Sequence, residues 1–380
     1  RAGNNEDDQS VTWGLKEFTL NPNRDRISRR VIPDVLFMYD PTRPYIPSSP
    51  YYSEEVWKHG NEMQTLPENH LWGPRGYYKT PFYTEAGCVF VSEMGYHGAP
   101  DISSLRMMMT PGCVYPWQTS DQLRKSETYK NPVTEAPVGN GSSQAKDRGY
   151  VLNGMDPERN WNEEWLTKSV RRFPELGKTY DRNNLMINQQ NLLFGSCPTD
   201  LEGFIFGSQV VQAEAMKYFV ELWRGQKFAP KTGIIWWNVK DGWPDISDAV
   251  VDYYFNKKLA YEFIKNVQRD VCCLIMDAKD GTHPLVAVND TRYPVDGDVK
   301  VTDVASGKTV YKGKFHVEKN SRTDLPGIRE KEGAQGVYLI TYTVNGSTYR
   351  NHYLYGKVPF SVDDYKAWMT KADIYDMSVE

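Results

Sequence analysis

The run Cys88-Val89-Phe90-Val91-Ser92-Glu93-Met94-Gly95 ends an apolar, β-forming stretch in a carboxylate followed by a glycine. In a parallel β/α architecture the C-terminal ends of the strands collect the loops that build the site, so a polar residue there points inward. A second carboxylate, Glu6, stands in Gly3-Asn4-Asn5-Glu6. Two carboxylates, each beside a glycine-containing turn, suit retaining glycoside hydrolysis. One carboxylic acid protonates the departing oxygen while the other attacks the anomeric carbon, across about 5–5.5 Å. Taken singly, either residue also reads as a surface glutamate opening a loop.

The elements that must position this pair follow from local patterning. Asn23 to Met38 has apolar residues at Ile27, Val31, Ile32, Val35 and Leu36, the spacing of an amphipathic helix broken near Pro33. Four prolines between Asp40 and Pro50 exclude a helix and indicate a short strand running into a rigid loop. His70-Leu71-Trp72-Gly73 resembles another strand end, Tyr77 to Ala86 a loop with a helical turn, and Asp101 to Met109 a helix. Residues from about 111 to 179 lose the pattern and read as an insertion, with a helix over Trp161 to Phe173. Ser208 to Gly225 has helical spacing and a glycine stop. Lys231 to Val239 is a buried strand, Lys240 to Asp245 a turn, and Tyr254 to Gln268 a second helix. Strand alternating with helix implies a parallel sheet, with four strands expected near residues 43, 70, 90 and 235. Beyond residue 270 come short alternating runs, clearest at Leu285 to Val288, Val299 to Val301, Thr309 to Tyr311 and Val337 to Val344. Asn345-Gly346 between such runs signals a hairpin, and the whole a small β-sandwich. The tail after Pro359 reads as a terminal helix or docked strand.

Composition narrows the function classes. A formal charge of −4, without a basic patch, argues against nucleic acid as a partner. No stretch of about 18 apolar residues exists to span a membrane. Five cysteines at irregular spacing and six scattered histidines predict neither a disulfide framework nor a transition-metal site, and no cofactor is expected. No Gly-x-Gly-x-x-Gly follows a strand, which disfavours a dinucleotide-dependent dehydrogenase. An aromatic content of 13% supplies flat rings suited either to core packing or to stacking on sugar faces.

Five motifs in order then carry a resemblance. Asn5-Glu6, Asp40-Pro41-Thr42-Arg43-Pro44-Tyr45, His70-Leu71-Trp72-Gly73, Ser92-Glu93-Met94-Gly95 and Trp237-Asn238-Val239-Lys240-Asp241-Gly242-Trp243-Pro244 resemble segments of glycoside hydrolase family 2. They are most similar to its β-mannosidase and exo-β-glucosaminidase branch, at the ends of the fourth to eighth barrel strands. The resemblance implies an α/β fold: residues 1-269 as the C-terminal half of a (β/α)8 TIM barrel, with the insertion at 111-179, then residues 270-380 as an immunoglobulin-like β-sandwich with a C-terminal tail. It implies Glu6 as general acid/base and Glu93 as nucleophile. Asn5 is expected on the sugar 2-hydroxyl and Trp237 as subsite floor, with Trp236 facing the opposite way. Trp72 and His70 are candidates for the same cleft, Trp72 equally for the core, and His97 a further candidate. Asp241 fits either a sugar hydroxyl or a turn cap, Trp243 fits packing, and Arg43 either substrate or a buried salt bridge.

The resemblance further implies a retaining exo-β-glycosidase acting on an oligosaccharide or glycoside, with β-mannoside favoured. Its alternatives are a β-galactosidase or exo-β-glucosaminidase of the same family and a non-catalytic carbohydrate-binding fragment. It implies as partner a missing N-terminal half of the barrel with a sugar-binding domain, and suggests a periplasmic or secreted location.

Overall fold

The computed structural model describes residues 1–10, 21–58, 66–73, 75–117, 161–169 and 182–379. Most of the expected 111–179 insertion lies outside them.

The first part of the chain rests on parallel strand pairing. β1 (Glu68–His70), β2 (Phe90–Glu93) and β3 (Gly233–Ile234) form a three-stranded parallel sheet in that order. The expected strand near residue 43 is reduced to isolated parallel bridges, Ala2 to Ile46 and Asn5 to Ser49. Prolines at 44, 47 and 50 remove the donors a longer ladder needs. Gly3 is required at this contact, because a Cβ there would lie 2.5 Å from the Pro47 carbonyl oxygen. The described sheets are open.

Helices cover the sheet, and Leu201–Gly225 is their centre. Twenty-one of its 25 residues are buried, so it behaves as a helix enclosed on all sides. Its buried polar residues serve its neighbours. Gln212 donates to the carbonyls of Tyr96 and Asp248, Gln209 to that of Ala99, and Glu214 faces His352 at 2.8 Å. Leu259–Val267 packs alongside it. Arg182–Phe194 has no apolar stripe to announce it, and its buried Asn183 and Gln189 donate to the Trp165 and Arg75 carbonyls. The helix expected over 161–173 is described only as Glu163–Thr167.

The amphipathic pattern at 23–38 is helical, and the helix changes form just before Pro33. A π-helical turn, Ile27–Val31, precedes an α-helix, Ile32–Tyr39, with Pro33 in its first turn where no N–H is needed. Of the apolar stripe, Ile27, Val31 and Val35 are exposed while Ile32 and Leu36 are partly buried, and Phe37, Met38 and Tyr39 beside it are exposed as well.

From Val271 onward the chain is antiparallel. β4 (Val271–Ile275), β5 (Thr282–Asn289) and β8 (Ser321–Arg329) form one sheet, ordered β4-β5-β8. β6 (Val295–Asp303), β7 (Thr309–Val317), β9 (Gly336–Val344) and β10 (Ser347–Tyr355) form another, ordered β10-β9-β6-β7. Their inward residues, among them Cys273, Leu285, Val299, Val301, Ile340 and Tyr342, share one core. The β9–β10 turn has φ of 52° at Asn345 and 79° at Gly346, as Asn-Gly hairpins require. The tail forms a helix, Val362–Ala372. Phe360, Tyr365 and Met369 join the same core cluster as the Leu201–Gly225 helix, so packing is continuous across residue 270. Among the described residues no helix is long and apolar enough to cross a membrane.

Candidate active site

Glu6 and Glu93 converge at the C-terminal ends of the parallel strands, and His70 stands between them. His70 Nδ1 lies 2.7 Å from Glu6 Oε1 and 3.2 Å from Glu93 Oε2, and the donor atoms of all three lie within 4.8 Å of one another. The three come from separate segments. Glu93 ends β2 and His70 ends β1, paired in register. Glu6 follows the Asn5–Ser49 bridge and is held by a 2.8 Å hydrogen bond from its N–H to the Ser49 carbonyl. Its backbone adopts φ of 62°, a left-handed conformation that a non-glycine residue keeps only where its surroundings enforce it.

Trp72 and Asn5 complete the cluster. The indole N–H of Trp72 donates to Glu93 Oε2 at 2.8 Å, and Asn5 hydrogen-bonds the same carboxylate. The face of the Trp72 ring carries the Arg75 guanidinium, 4.2 Å from the ring centroid. The edge of Trp72 thus holds Glu93 while one of its faces is occupied by Arg75. Trp237 stands at the rim, 44% exposed, with its backbone N–H donating to the Met94 carbonyl. Gly95 permits that approach, because a Cβ there would meet the Trp237 carbonyl oxygen at 2.5 Å and the Trp72 ring at 3.0 Å. Trp236 packs against the core.

Charge follows from these contacts. Burial alone would lower the His70 pKa, but hydrogen bonds and charge from Glu6 and Glu93 raise it from 6.5 to about 9. Burial would raise the Glu93 carboxyl, yet hydrogen bonds from His70, Trp72 and Asn5, with the charge on His70, hold it below its ordinary value. A histidine whose folded pKa is raised contributes stability that is complete below its unfolded pKa and lost as pH rises through the folded one. The melting temperature is therefore expected to fall as pH passes from about 6.5 through about 9, and a His70→Asn variant to lose that fall. Thermal melts across this range check it.

Among the described residues, Glu6, His70 and Glu93 are the three side chains of ligating type that lie close enough together to hold a metal ion. The Trp72 N–H and the imidazole already aim at the carboxylate oxygens such an ion would need, and an indole N–H can only donate.

The structure does not bring the remaining candidates to this cluster. His97 is buried, with Nδ1 2.6 Å from Asp248 Oδ1, and burial pushes its pKa down to about 4. Asp241 is buried in the loop after β3, where it accepts from Ser247 Oγ. Arg43 is exposed and pairs only loosely with Asp40 at 3.7 Å, neither buried nor near the carboxylates. Trp243 is 66% exposed instead of packed.

Sequence reading missed Asp248 and Arg75. Asp248 is buried and gathers His97, Arg75 and Arg182, the last at 2.5 Å, so its carboxyl is held far below the usual range against the penalty of burial. No motif marks this, since the partners lie up to 173 residues away. Asp248→Asn is expected to destabilise the protein by about 3–5 kcal/mol, because it leaves buried cations with a neutral partner. Urea unfolding measures it.

Against known proteins, no family model matches the chain. It is 24% identical to β-mannosidase B of Aspergillus terreus over 270 residues, 70% of this chain and 25% of that protein. It is 27% identical to β-mannosidase B of Thermothelomyces thermophilus over 321 residues, 81% of this chain and 32% of that protein. In fold it is similar to the β-D-mannosidase of Dictyoglomus thermophilum, with a TM-score of 0.66 at 21% identity over 95% of this chain and 38% of that one. It is also similar to the exo-chitosanase CsxA of Amycolatopsis orientalis, with a TM-score of 0.54 at 16% identity over 87% of this chain and 34% of that one. The chain is thus related to glycoside hydrolase family 2. It spans about a quarter to a third of the length of these two curated relatives.

Proposed function

We propose that this chain is the catalytic C-terminal part of a retaining exo-β-glycosidase. The observation that carries the reading is the convergence of Glu6 and Glu93, whose oxygens approach within 4.8 Å. That spacing suits direct attack by one carboxylate, whereas an inverting pair needs about 6.5–9.5 Å to admit a water. Glu93, kept ionised by His70, Trp72 and Asn5, attacks the anomeric carbon. Glu6 protonates the departing oxygen, then deprotonates the water that hydrolyses the glycosyl ester on Glu93. Asn5 binds the sugar 2-hydroxyl, where a hydrogen bond strengthens as positive charge develops on the ring. Trp237 offers an exposed face for stacking.

The names of the sequence relatives favour a terminal β-mannoside. The fold likeness to an exo-chitosanase supports the alternative, a β-glucosaminide.

In the same reading, residues 1-269 form half of a (β/α)8 barrel and residues 270-380 an immunoglobulin-like sandwich. The supporting features are the open parallel sheet and uncovered apolar residues near both of its limits. Val31, Phe37 and Met38 lie on the helix after the first segment, and Ile235 and Val239 follow β3. A preceding half-barrel with its sugar-binding domain would cover both, and activity requires it.

A 2-deoxy-2-fluoro-β-mannoside with a good leaving group tests the proposal. Incubated with the complete polypeptide, it is expected to leave a stable ester on Glu93, identified by peptide mass spectrometry. A label on any other residue rejects the assignment.

A further inference from the structure

One set of polar groups beside the catalytic cluster has no part in the mechanism above. β1 places Glu68 and His70 on one face, since alternate residues of a strand share a side. Pairing with β2 steps from Asn69–Val91 to His70–Glu93, leaving Ser92 as an extra residue. This bulge turns the Ser92 hydroxyl onto Glu68 Oε1 while Glu93 still faces His70. Ser49, from the loop that also anchors Glu6, completes the set. Its Oγ lies 2.6 Å from Glu68 Oε1, 3.0 Å from His70 Nε2 and 3.2 Å from Ser92 Oγ.

Proton counting gives this arrangement a direction. A serine hydroxyl has one proton to donate, and a carboxylate has none. Ser49 donates to Glu68 in the shortest of its three contacts, so it presents a lone pair to His70 Nε2, which must donate. His70 Nδ1 faces the oxygens of Glu6 and Glu93, so it donates as well. Both ring nitrogens therefore carry hydrogen.

We propose that Glu68 is a positioning residue, acting through Ser49 to hold His70 with an N–H on each ring nitrogen and so keep one N–H between Glu6 and Glu93. This inference rests on the glycosidase reading only for its effect on rate. Without Glu68, the Ser49 proton is free to turn toward Nε2, and the hold on the second N–H of His70 weakens. The N–H between Glu6 and Glu93 is then held less firmly in place. The charged groups facing His70 are Glu6 from the first segment, Glu93 from β2 and Glu68 from its own strand, while Arg75 lies beyond the Trp72 ring.

The test is nitrogen-15 NMR of the His70 side chain, combined with kinetics, on the complete polypeptide and its Glu68→Gln, Ser49→Ala and Ser92→Ala variants. In the parent, both His70 nitrogens are expected to be protonated near neutral pH. Glu68→Gln and Ser49→Ala should each lower the His70 titration midpoint by about one pH unit, a tenfold change in its proton affinity. The same two variants should lower kcat by about tenfold or more with little change in KM, because neither group reaches substrate. Ser92→Ala, which removes a contact to Glu68 but none to His70, should leave the midpoint in place. If Glu68→Gln does not fold, the contrast between the two serines decides. A parent His70 neutral near pH 7, or equal shifts in Ser49→Ala and Ser92→Ala, overturns the proposal. So does a Glu68→Gln midpoint that matches the parent. The NMR result is read without hydrolysis, so failure of the glycosidase assignment removes only the kinetic arm.

Discussion

Replacing Glu93 by glycine is expected to lower kcat for glycoside hydrolysis by about 10⁴- to 10⁶-fold, the scale seen when a catalytic nucleophile is removed. Glycine leaves no group to form the ester, and it also leaves His70 without one of the two carboxylates that hold its proton. The two effects separate by rescue. Added azide fits the space vacated by the side chain and attacks the anomeric carbon directly, giving a glycosyl azide of inverted configuration. Rescue restores turnover only for substrates with good leaving groups and does not restore the His70 interaction. The assay uses the complete polypeptide with an aryl β-mannoside, and product configuration is read by proton NMR. Activity that stays within about a hundredfold of the parent, too small a loss for a missing nucleophile, would reject Glu93 in this role.

Replacing Glu6 by alanine is expected to have an effect that depends on the aglycone. A poor leaving group needs a proton, so its cleavage should slow by about 10²- to 10⁴-fold, the range for general acid catalysis. A dinitrophenyl glycoside departs without help, so its first step should proceed almost unchanged. Its second step should stall, because no base remains to activate water, and the ester on Glu93 should accumulate. Azide needs no base. It should speed the second step and give a β-glycosyl azide with retained configuration, the opposite of the Glu93 variant. Equal losses across leaving groups, with no acceleration by azide, would remove Glu6 from the acid/base role. The two variants together report on both carboxylates through products of opposite configuration.

Local features carried most of what the sequence reveals. β2 was legible because an apolar run ends in Glu93 and Gly95, and the β9–β10 hairpin because Asn345-Gly346 separates two alternating runs. Glu6 and Glu93 stood out because a carboxylate beside a tight turn is chemically conspicuous. Elements whose residues answer to distant partners were not legible. The Arg182–Phe194 helix is rich in Asn and Gln that bond to remote carbonyls, so it has no stripe. The Ile27–Tyr39 segment has its helical stripe, yet much of that stripe is exposed among the described residues.

By itself the sequence determined which side chains could do acid–base and nucleophilic chemistry, and which strands and turns would present them. Only the tertiary structure decided which of those side chains meet. It placed His70 between Glu6 and Glu93, occupied one face of Trp72 with Arg75, and withdrew His97 and Asp241 into buried networks. Periodicity and turn chemistry act over a few residues, and can be read along the chain. A hydrogen bond joining residues 64 or 151 positions apart depends on how whole elements pack, and no stretch of sequence carries that information alone.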